Sequence, residues 1–461
     1  MEPQNLEFGG GATHTVLHPL VAAATLVTIA LIFLLPRKYL IVPFLLNVLL
    51  VPFGQVLVLG GVHFTVYRII VIFGLVRLVI TKLPSATGRF VGGFNSIDRV
   101  FTLCALLSSI ILSLRWMETQ ALIKSLGNLL DALGGYFILR FLIQDGEDMR
   151  RTIKVFALIA VVMAVCMMNE RLRFQNIFGL LGGVGIVPAV RDGQIRAQGA
   201  FSVYVTAGAF GATLLPLFVW LWKSGESKTA VVLGIISSTI ITVTSSTSTA
   251  LVAYAAGIVA LCLWPLRKHM RTFRWGLVIT LVGLHLVMKA PVWALIARID
   301  LTGSSAGYHR YMLVDNCIRH FGSWWLVGAK DYSTWGWEMG DLGNQYVECA
   351  ETGGLLTLIA FIAIISRSFG KLGTARKQVE GDRKQEWFLW SLGAAVFANV
   401  IAYLAISYYD QVQVAWYALL AIISAAVCEA ARSSAPQVHE ALASSYQAEA
   451  AMSWDILETN P

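Results

Sequence analysis

Apolar runs of roughly 20 residues succeed one another along most of the chain, separated by short polar turns and two long polar stretches. Each run is long enough to cross the ~30 Å hydrocarbon core of a bilayer as an α-helix. The ~10-residue alternating segments of a membrane β-barrel are absent. Thirteen spans are predicted, at about 17–35, 39–60, 65–81, 98–114, 120–142, 152–169, 200–222, 229–244, 247–265, 274–297, 345–366, 386–408 and 412–431. Twelve is the alternative count, because the turns within 17–60 and 229–265 are very short. The pattern therefore predicts an all-α fold, a polytopic transmembrane helical bundle over residues 1–431 with a long outer loop containing short amphipathic helices. Residues 432–461, rich in Ala, Ser and Glu, read as a disordered cytoplasmic tail. Met1 to His18 carry two glutamates and no Lys or Arg, unlike a cleavable leader, so the first apolar run is expected to be a retained span.

Charge placement sets the orientation. Most of the 35 Lys and Arg lie in alternate loops, among them Arg37, Lys38, Lys82, Arg89, Arg150, Arg151, Arg267, Lys268, Arg376, Lys377, Arg383 and Lys384. By the bias of basic loops, that side is cytoplasmic. The other side is nearly free of cations except in two long loops, 171–200 and 298–344. The first holds Arg171, Arg173, Arg191 and Arg196; the second holds Arg310, Arg319 and Lys330. Arginines set against the insertion preference call for an anion, and these two loops are expected to form one cleft.

Composition narrows the class. With 57% hydrophobic and 13% charged residues, the chain has too little charge to cover a soluble protein of 461 residues. The net charge of +8 sits in short loops, so it reports membrane orientation and not nucleic-acid binding. Cys104, Cys166, Cys262 and Cys428 lie in apolar runs; Cys317 and Cys349 are near enough in sequence to the second loop to pair, although nothing in their spacing requires it. No metal-type cluster is seen. Arg77 and Arg140, near cytoplasmic ends of spans, are expected to snorkel, and Asp131 and Lys124 to pair with another helix or touch substrate.

Within the first loop, Arg191-Asp-Gly-Gln-Ile-Arg196-Ala-Gln-Gly199-Ala-Phe201 runs into a span. A guanidinium offers paired donors that match phosphate oxygens, and the following helix start adds N–H groups and a favourable dipole. The bland alternative is contact with lipid headgroups or pairing of these arginines with Asp192. In the second loop, Tyr308-His309-Arg310-Tyr311-Met312 opens an amphipathic helix to about Phe321. Trp324, Trp325, Trp335 and Trp337 follow, as an interfacial belt or in part as a sugar-binding groove. The loop closes with Asp341, Asn344, Gln345, Glu348 and Glu351, polar groups crowding the outer end of an apolar helix. Dipole complementation at that helix start accounts for Glu348, and less well for Asp341 and Asn344.

The stretch His309-Arg310-Tyr-Met-Leu…Phe321…Leu326-Val-Gly328…Trp335-Gly336…Asn344-Gln-Tyr346…Glu351-Thr-Gly353-Gly354-Leu-Leu resembles the core of the O-antigen ligase and polysaccharide polymerase family. Arg196-Ala-Gln-Gly199-Ala-Phe201 is similar to that family's arginine–glycine–phenylalanine element, and Tyr67-Arg68 to its N-terminal region. The resemblance implies a glycosyltransferase of the bacterial inner membrane, working at the periplasmic face for O-antigen or exopolysaccharide synthesis. It would move a glycan from a polyprenyl (undecaprenyl) pyrophosphate donor to a glycan or lipid-linked acceptor. It implies no metal, no nucleotide sugar and no other cofactor, and a chain-length regulator as a further partner. Arg196 and Arg310 match the positions that hold the pyrophosphate. Many ligases carry His-Asn where this chain has Gly343-Asn344, which leans the expectation towards a polymerase. Asp341 becomes the candidate base, with His309 and Glu348 in reserve. Arg191, His309, Arg319, Asn344, Gln345, Glu348 and Trp335 are expected to line the substrate. The rival class is a lipid-linked oligosaccharide flippase, which should carry charge along a path through both leaflets. A structural or signalling membrane protein leaves two arginine clusters on one side unexplained.

Overall fold

In the computed structural model, which describes residues 15–81, 90–223, 225, 228–298, 306–336 and 338–433, the apolar runs are helices. They are α1 (Pro19–Leu34), α2 (Arg37–Leu50), α3 (Val66–Ile80), α4 (Ser96–Trp116), α5 (Thr119–Leu129), α6 (Gly135–Leu142) and α7 (Gly146–Arg173). There follow α8 (Tyr204–Lys223), α9 (Lys228–Thr244), α10 (Ser248–Cys262), α11 (Met270–Val287), α12 (Ala306–Arg319), α13 (Phe321–Trp324), α14 (Gln345–Gln378) and α15 (Arg383–Ala402). The last is α16 (Gln411–Ser433). A π-helical turn over Leu130–Gly134 joins α5 to α6. Seven of the described helical rods are long and apolar enough to cross a membrane, and α1, α9 and α10 are shorter apolar helices. The expected all-α polytopic bundle stands, and each predicted span holds a helix. The span read over 39–60 is shorter than expected. Its helix stops at Leu50, and the remainder enters a hairpin of β1 (Val56–Leu59) with β2 (Val62–Thr65). Val56–Leu59 is a continuous apolar run, which hydrophobicity alone cannot distinguish from helix. Of the expected tail, 432–461, residues 432–433 end α16 and the rest lies outside the described residues.

Contacts between distant segments sort the helix ends onto two faces. On one, here the loop face, the Gln411 amide donates to Val51 O (3.0 Å) and Ala200 O (2.9 Å). Ala197 N–H donates to Thr244 O (3.1 Å), Arg310 reaches Thr249, and Asn344 reaches Leu404 O. On the other, here the basic face, Arg37 bonds Asp148 (2.9 Å), Arg267 bonds Glu386 (3.0 Å) and Lys268 bonds Glu380 (2.8 Å). The two long arginine loops share the loop face, as their sequence separation by alternate spans requires. One helix stands apart: no residue of the 24-residue window Trp264–Val287 is buried, so α11 leads up to the second loop without joining the core.

Charges within the spans are met by partners. Arg68 of α3 makes two bonds to the Asp131 carboxylate, at 3.1 and 2.7 Å, so the expected helix pairing of Asp131 is with α3. Arg77 donates to Phe33 O and Leu35 O at the C-terminus of α1. Arg140 corrects the expectation of a snorkelling side chain. It is fully buried and bonds both oxygens of Asp98, at 2.9 and 3.1 Å, and also Val91 O and Gly93 O. Asp98 is held ready by Tyr136 OH (2.5 Å) and by its own capping box with Asn95. Folding the 90–95 segment back over α6 closes the route to water that snorkelling needs. All six cysteines are free, so Cys317 and Cys349 do not pair.

Removing one partner of a pair this deeply buried leaves an uncompensated charge, at a cost of about 3–5 kcal/mol. Arg140→Ala is therefore expected to lower the thermal midpoint of the purified protein strongly. The double variant Arg140→Met/Asp98→Leu should recover much of that loss, which thermal unfolding in detergent measures.

Candidate functional site

The first loop is built from the end of α7. Glu170, buried one turn before the helix stops, accepts from Gln198 N–H (3.1 Å) and Gly199 N–H (2.9 Å). Asn176 donates to Gly199 O (2.9 Å) from the other side. Gly199 has φ 59° in a space already filled by Met163 and Met167, so the position needs a glycine. This clamp fixes the exit of a second hairpin, β3 (Ala189–Arg191) with β4 (Gln194–Arg196), which turns at Asp192-Gly193. Arg191 lies exposed at its tip, 3.7 Å from Asp192. Arg196, at the end of β4, is only 7% exposed. Its Nη1 donates to Tyr204 OH (3.2 Å) and its guanidinium lies 4.9 Å over that ring. Its Nε has no acceptor, and it makes no ion pair among the described residues. Leaving such a charge buried without a counter-charge is expensive.

The turn between α9 and α10 is a run of hydroxyls, Thr244-Ser245-Ser246-Thr247-Ser248-Thr249. Its first half meets the first loop: Thr244 O accepts from Ala197, the Ser246 hydroxyl donates to Ile195 O, and Arg171 donates to Ser246 Oγ (2.7 Å). Its second half meets the second loop: Arg310 on α12 donates to Thr249 Oγ1 (2.7 Å). The strand residues on either side of Arg196 and the side chain of Arg310 thus meet the same hydroxyl-rich segment, 244–249. Sequence reading passed over this turn and Tyr204, because a polar run between two short apolar helices looks like a connection only.

The rest of the second loop is pinned to α14. After the Glu351-Thr-Gly-Gly sequence, Gly354 leaves the helical region (φ 71°) and Leu355 N–H donates to Trp325 O (2.9 Å). The carbonyl of Glu351, freed by this kink, accepts from Ala329 N–H (2.8 Å) and Arg115 Nη1 (3.0 Å). Asn344 is the N-cap of α14, accepting from Tyr346 and Val347 N–H while donating to Leu404 O, so capping accounts for a residue first read as substrate-binding. Gln345 donates to Glu348 (3.2 Å) and accepts from Tyr408 N–H (2.6 Å). His309 meets Glu338 O (3.0 Å), Arg319 is taken by Asp315 on its own helix (2.6 Å), and Trp335 stacks on His320 (4.5 Å). Asp341 is exposed on the loop face.

A third segment, the 403–410 connection between α15 and α16, contributes groups that sequence reading missed. Asp410 is buried with a left-handed backbone (φ 58°), a conformation that costs about 1–3 kcal/mol away from glycine. Its carboxylate accepts from Ser202 Oγ (2.5 Å), Thr206 Oγ1 (3.1 Å) and Val412 N–H (3.1 Å). Burial pushes this carboxyl up to about 6 despite those donors. The neighbouring Tyr409 phenol is pushed up by burial first, then by the charges of Asp410 and Asp341. The sequence signal was an acidic residue, Tyr408-Tyr409-Asp410-Gln411, in an otherwise apolar turn.

The chain matches no family model and no curated protein. The chemistry of the loop face rests on its own residues: a buried arginine with no counter-charge among the described residues, a second arginine on the hydroxyl-rich 244–249 segment, and acids on the α14 and α16 side.

Two outcomes are expected here. Gly199→Ala forces an unfavourable φ against Met163 and should destabilise by about 1–3 kcal/mol, read as a fall in thermal midpoint. Asp410 has a folded-state pKa raised above its unfolded value near 3.8. Its contribution is fully present below pH ~4 and is lost as pH rises through ~6. Wild type should therefore lose stability over that window relative to Asp410→Asn, on the order of 3 kcal/mol at about 1.4 kcal/mol per unit. Parallel melts from pH 4 to 7 test the sign.

Proposed function

We propose that the loop face is the active site of a membrane glycosyltransferase. It binds the pyrophosphate of a polyprenyl-linked glycan between Arg196 and Arg310 and passes the glycan to an acceptor hydroxyl. The observation that carries this reading is Arg196: nine-tenths buried, stacked on Tyr204, and without a carboxylate among the described residues. A phosphate oxygen supplies the missing counter-charge, with the planar geometry a guanidinium favours. Arg310, held at the far end of the 244–249 turn, supports a second contact on the same anion.

As the anomeric C–O bond to the donor breaks, negative charge moves onto the departing pyrophosphate. Preorganised guanidinium donors stabilise that charge more than the ground state. Asp341, exposed on the loop face, takes the proton of the incoming hydroxyl. The apolar bundle accommodates the polyprenyl tail, and the reaction faces the periplasm of a bacterial inner membrane, for O-antigen or exopolysaccharide synthesis. Gly343 standing where ligases of the resembling family carry histidine favours polymerisation over ligation, with another glycan as acceptor. A flippase path through both leaflets is less well supported, since Arg140 and Arg68 inside the bundle are closed off by Asp98 and Asp131.

Arg196→Ala and Arg310→Ala should each lower glycan transfer from a polyprenyl-pyrophosphate donor roughly 100–1,000-fold. Arg196→Lys should restore little, because a point charge does not reproduce the paired donors. Full turnover in both alanine variants removes the proposal. Asp341→Asn should cost ~100–10,000-fold with little change in donor binding; unchanged turnover reassigns the base. A cysteine placed at Lys330 should label from the periplasmic side alone.

A further inference from the structure

A second cleft opens at the basic face, on the opposite side of the bundle from the arginine pair. It encloses about 710 Å³ between the first turns of α7 and α15, the last turns of α8 and α16, and Trp264. Its walls carry two distinct chemistries. One is aromatic: Trp220 lies 4.2 Å from Phe388, and Trp264 meets Trp387 edge-on at 4.9 Å. Trp222 extends the aromatic wall outward, half exposed. The other is cationic: Arg150, Arg383 and Lys384 line the cleft, against one carboxylate, Glu429.

We propose that this cleft binds an anionic phospholipid, its phosphate among Arg150, Arg383 and Lys384 and its upper acyl chains against the tryptophans. Among the side chains that line the cleft, three cations meet one acid, a grouping that a zwitterionic headgroup satisfies less well than an anionic one. Both α7 and α15 begin at this cleft, but the carboxylates Asp145 and Asp382 at their N-caps offset the helix dipoles. Their leading N–H groups are already capped by Asp145 and Asp382, so side chains and not backbone amides hold the phosphate. The aromatic wall decides between a lipid and a soluble anion. Tryptophan concentrates where a bilayer meets water, and free phosphate makes no use of four indoles. The volume also falls in the range of sites that enclose a sizeable ligand, far above the needs of a bare phosphate. Nothing in this assignment depends on the chemistry of the loop face.

The test is native mass spectrometry of the full chain released from detergent with graded phosphatidylglycerol or phosphatidylcholine. Wild type should retain one phosphatidylglycerol at a concentration roughly tenfold or more below that needed for phosphatidylcholine. In Arg150→Ala/Arg383→Ala/Lys384→Ala the preference should shrink to within about twofold, and Trp222→Ala should weaken retention of both lipids. Should the triple variant fail to fold, Arg383→Gln/Lys384→Gln, at two exposed positions, should give the same shift in preference. No preference in wild type, or an unchanged preference in the charge variants, overturns the proposal. Inorganic phosphate or glycerol phosphate displacing the lipid at equal concentration overturns the lipid assignment as well.

Discussion

A guanidinium taken out of water has to be given negative charge or carbonyl oxygens, and this requirement organises the bundle from end to end. Arg140 meets both oxygens of Asp98 and two backbone carbonyls, which draws the 90–95 segment down over α6. Arg68 meets Asp131 on the π-helical turn, so the irregular stretch of the α5–α6 rod is tied to α3. Arg37 reaches Asp148 together with Phe141 O and Leu142 O and fastens the entry of α2 to the start of α7. Arg115 spans the Ala329 and Glu351 carbonyls and locks the second loop onto the kink of α14. In each case the helix packing is what it must be for an arginine to find its acceptors. Arg196 is the exception that gives the loop face its chemistry.

The geometry around that exception comes from residues far apart in the chain. Glu170 is spent on two backbone N–H groups, which sets the path from β4 into α8 and so the direction of Arg196. Gln411 ties the same path to the end of α2 and to α16 through Ala200 O and Val51 O. The kink at Gly354 plays the matching role for the second loop, because the hydrogen bonds that α14 gives up are taken by residues 325 and 329. Both loops are long, yet neither is free to drift where it matters. Their fixed points are backbone groups within or beside helices, the rigid elements on which a preorganised site depends.

The helices were legible because an apolar run of ~20 residues has few other uses in a chain with so little charge. The side of the bundle on which the two loops meet followed from the alternation of basic turns. The reading of Arg140 failed because distance from a span end does not report whether another segment folds over it. Asn344, expected to line the substrate, also caps α14 by accepting from Tyr346 and Val347 N–H, a role that its place at a helix start signals. Asp410 was invisible for a different reason: its partners Ser202 and Thr206 lie more than 200 positions away, and only packing of α8 against the 403–410 connection makes it a buried acid. The same holds for Thr249, whose meaning comes from Arg310. Local pattern reports elements and sidedness, whereas a site assembled from three loops exists only in the tertiary contacts.

The two faces use the same residue types in opposite ways. Outside the tryptophan-lined cleft, acids and bases of the basic face pair directly, as in Arg37–Asp148, Arg267–Glu386 and Lys268–Glu380. Around Arg196 on the loop face they are kept apart: Glu170 and Asp410 hold N–H and O–H donors, while Arg196 rests on the Tyr204 phenol. Had Glu170 turned to Arg196, the buried charge would be quenched and the site would offer an anion nothing. Segregation leaves the arginine's field available in a poorly solvated place, where it acts most strongly on charge that arrives with a ligand. It also leaves the acids on the α14 and α16 side, where a proton has to be taken up. The proposed reaction, which releases an anion on one side and deprotonates a hydroxyl on the other, draws on both conditions at once.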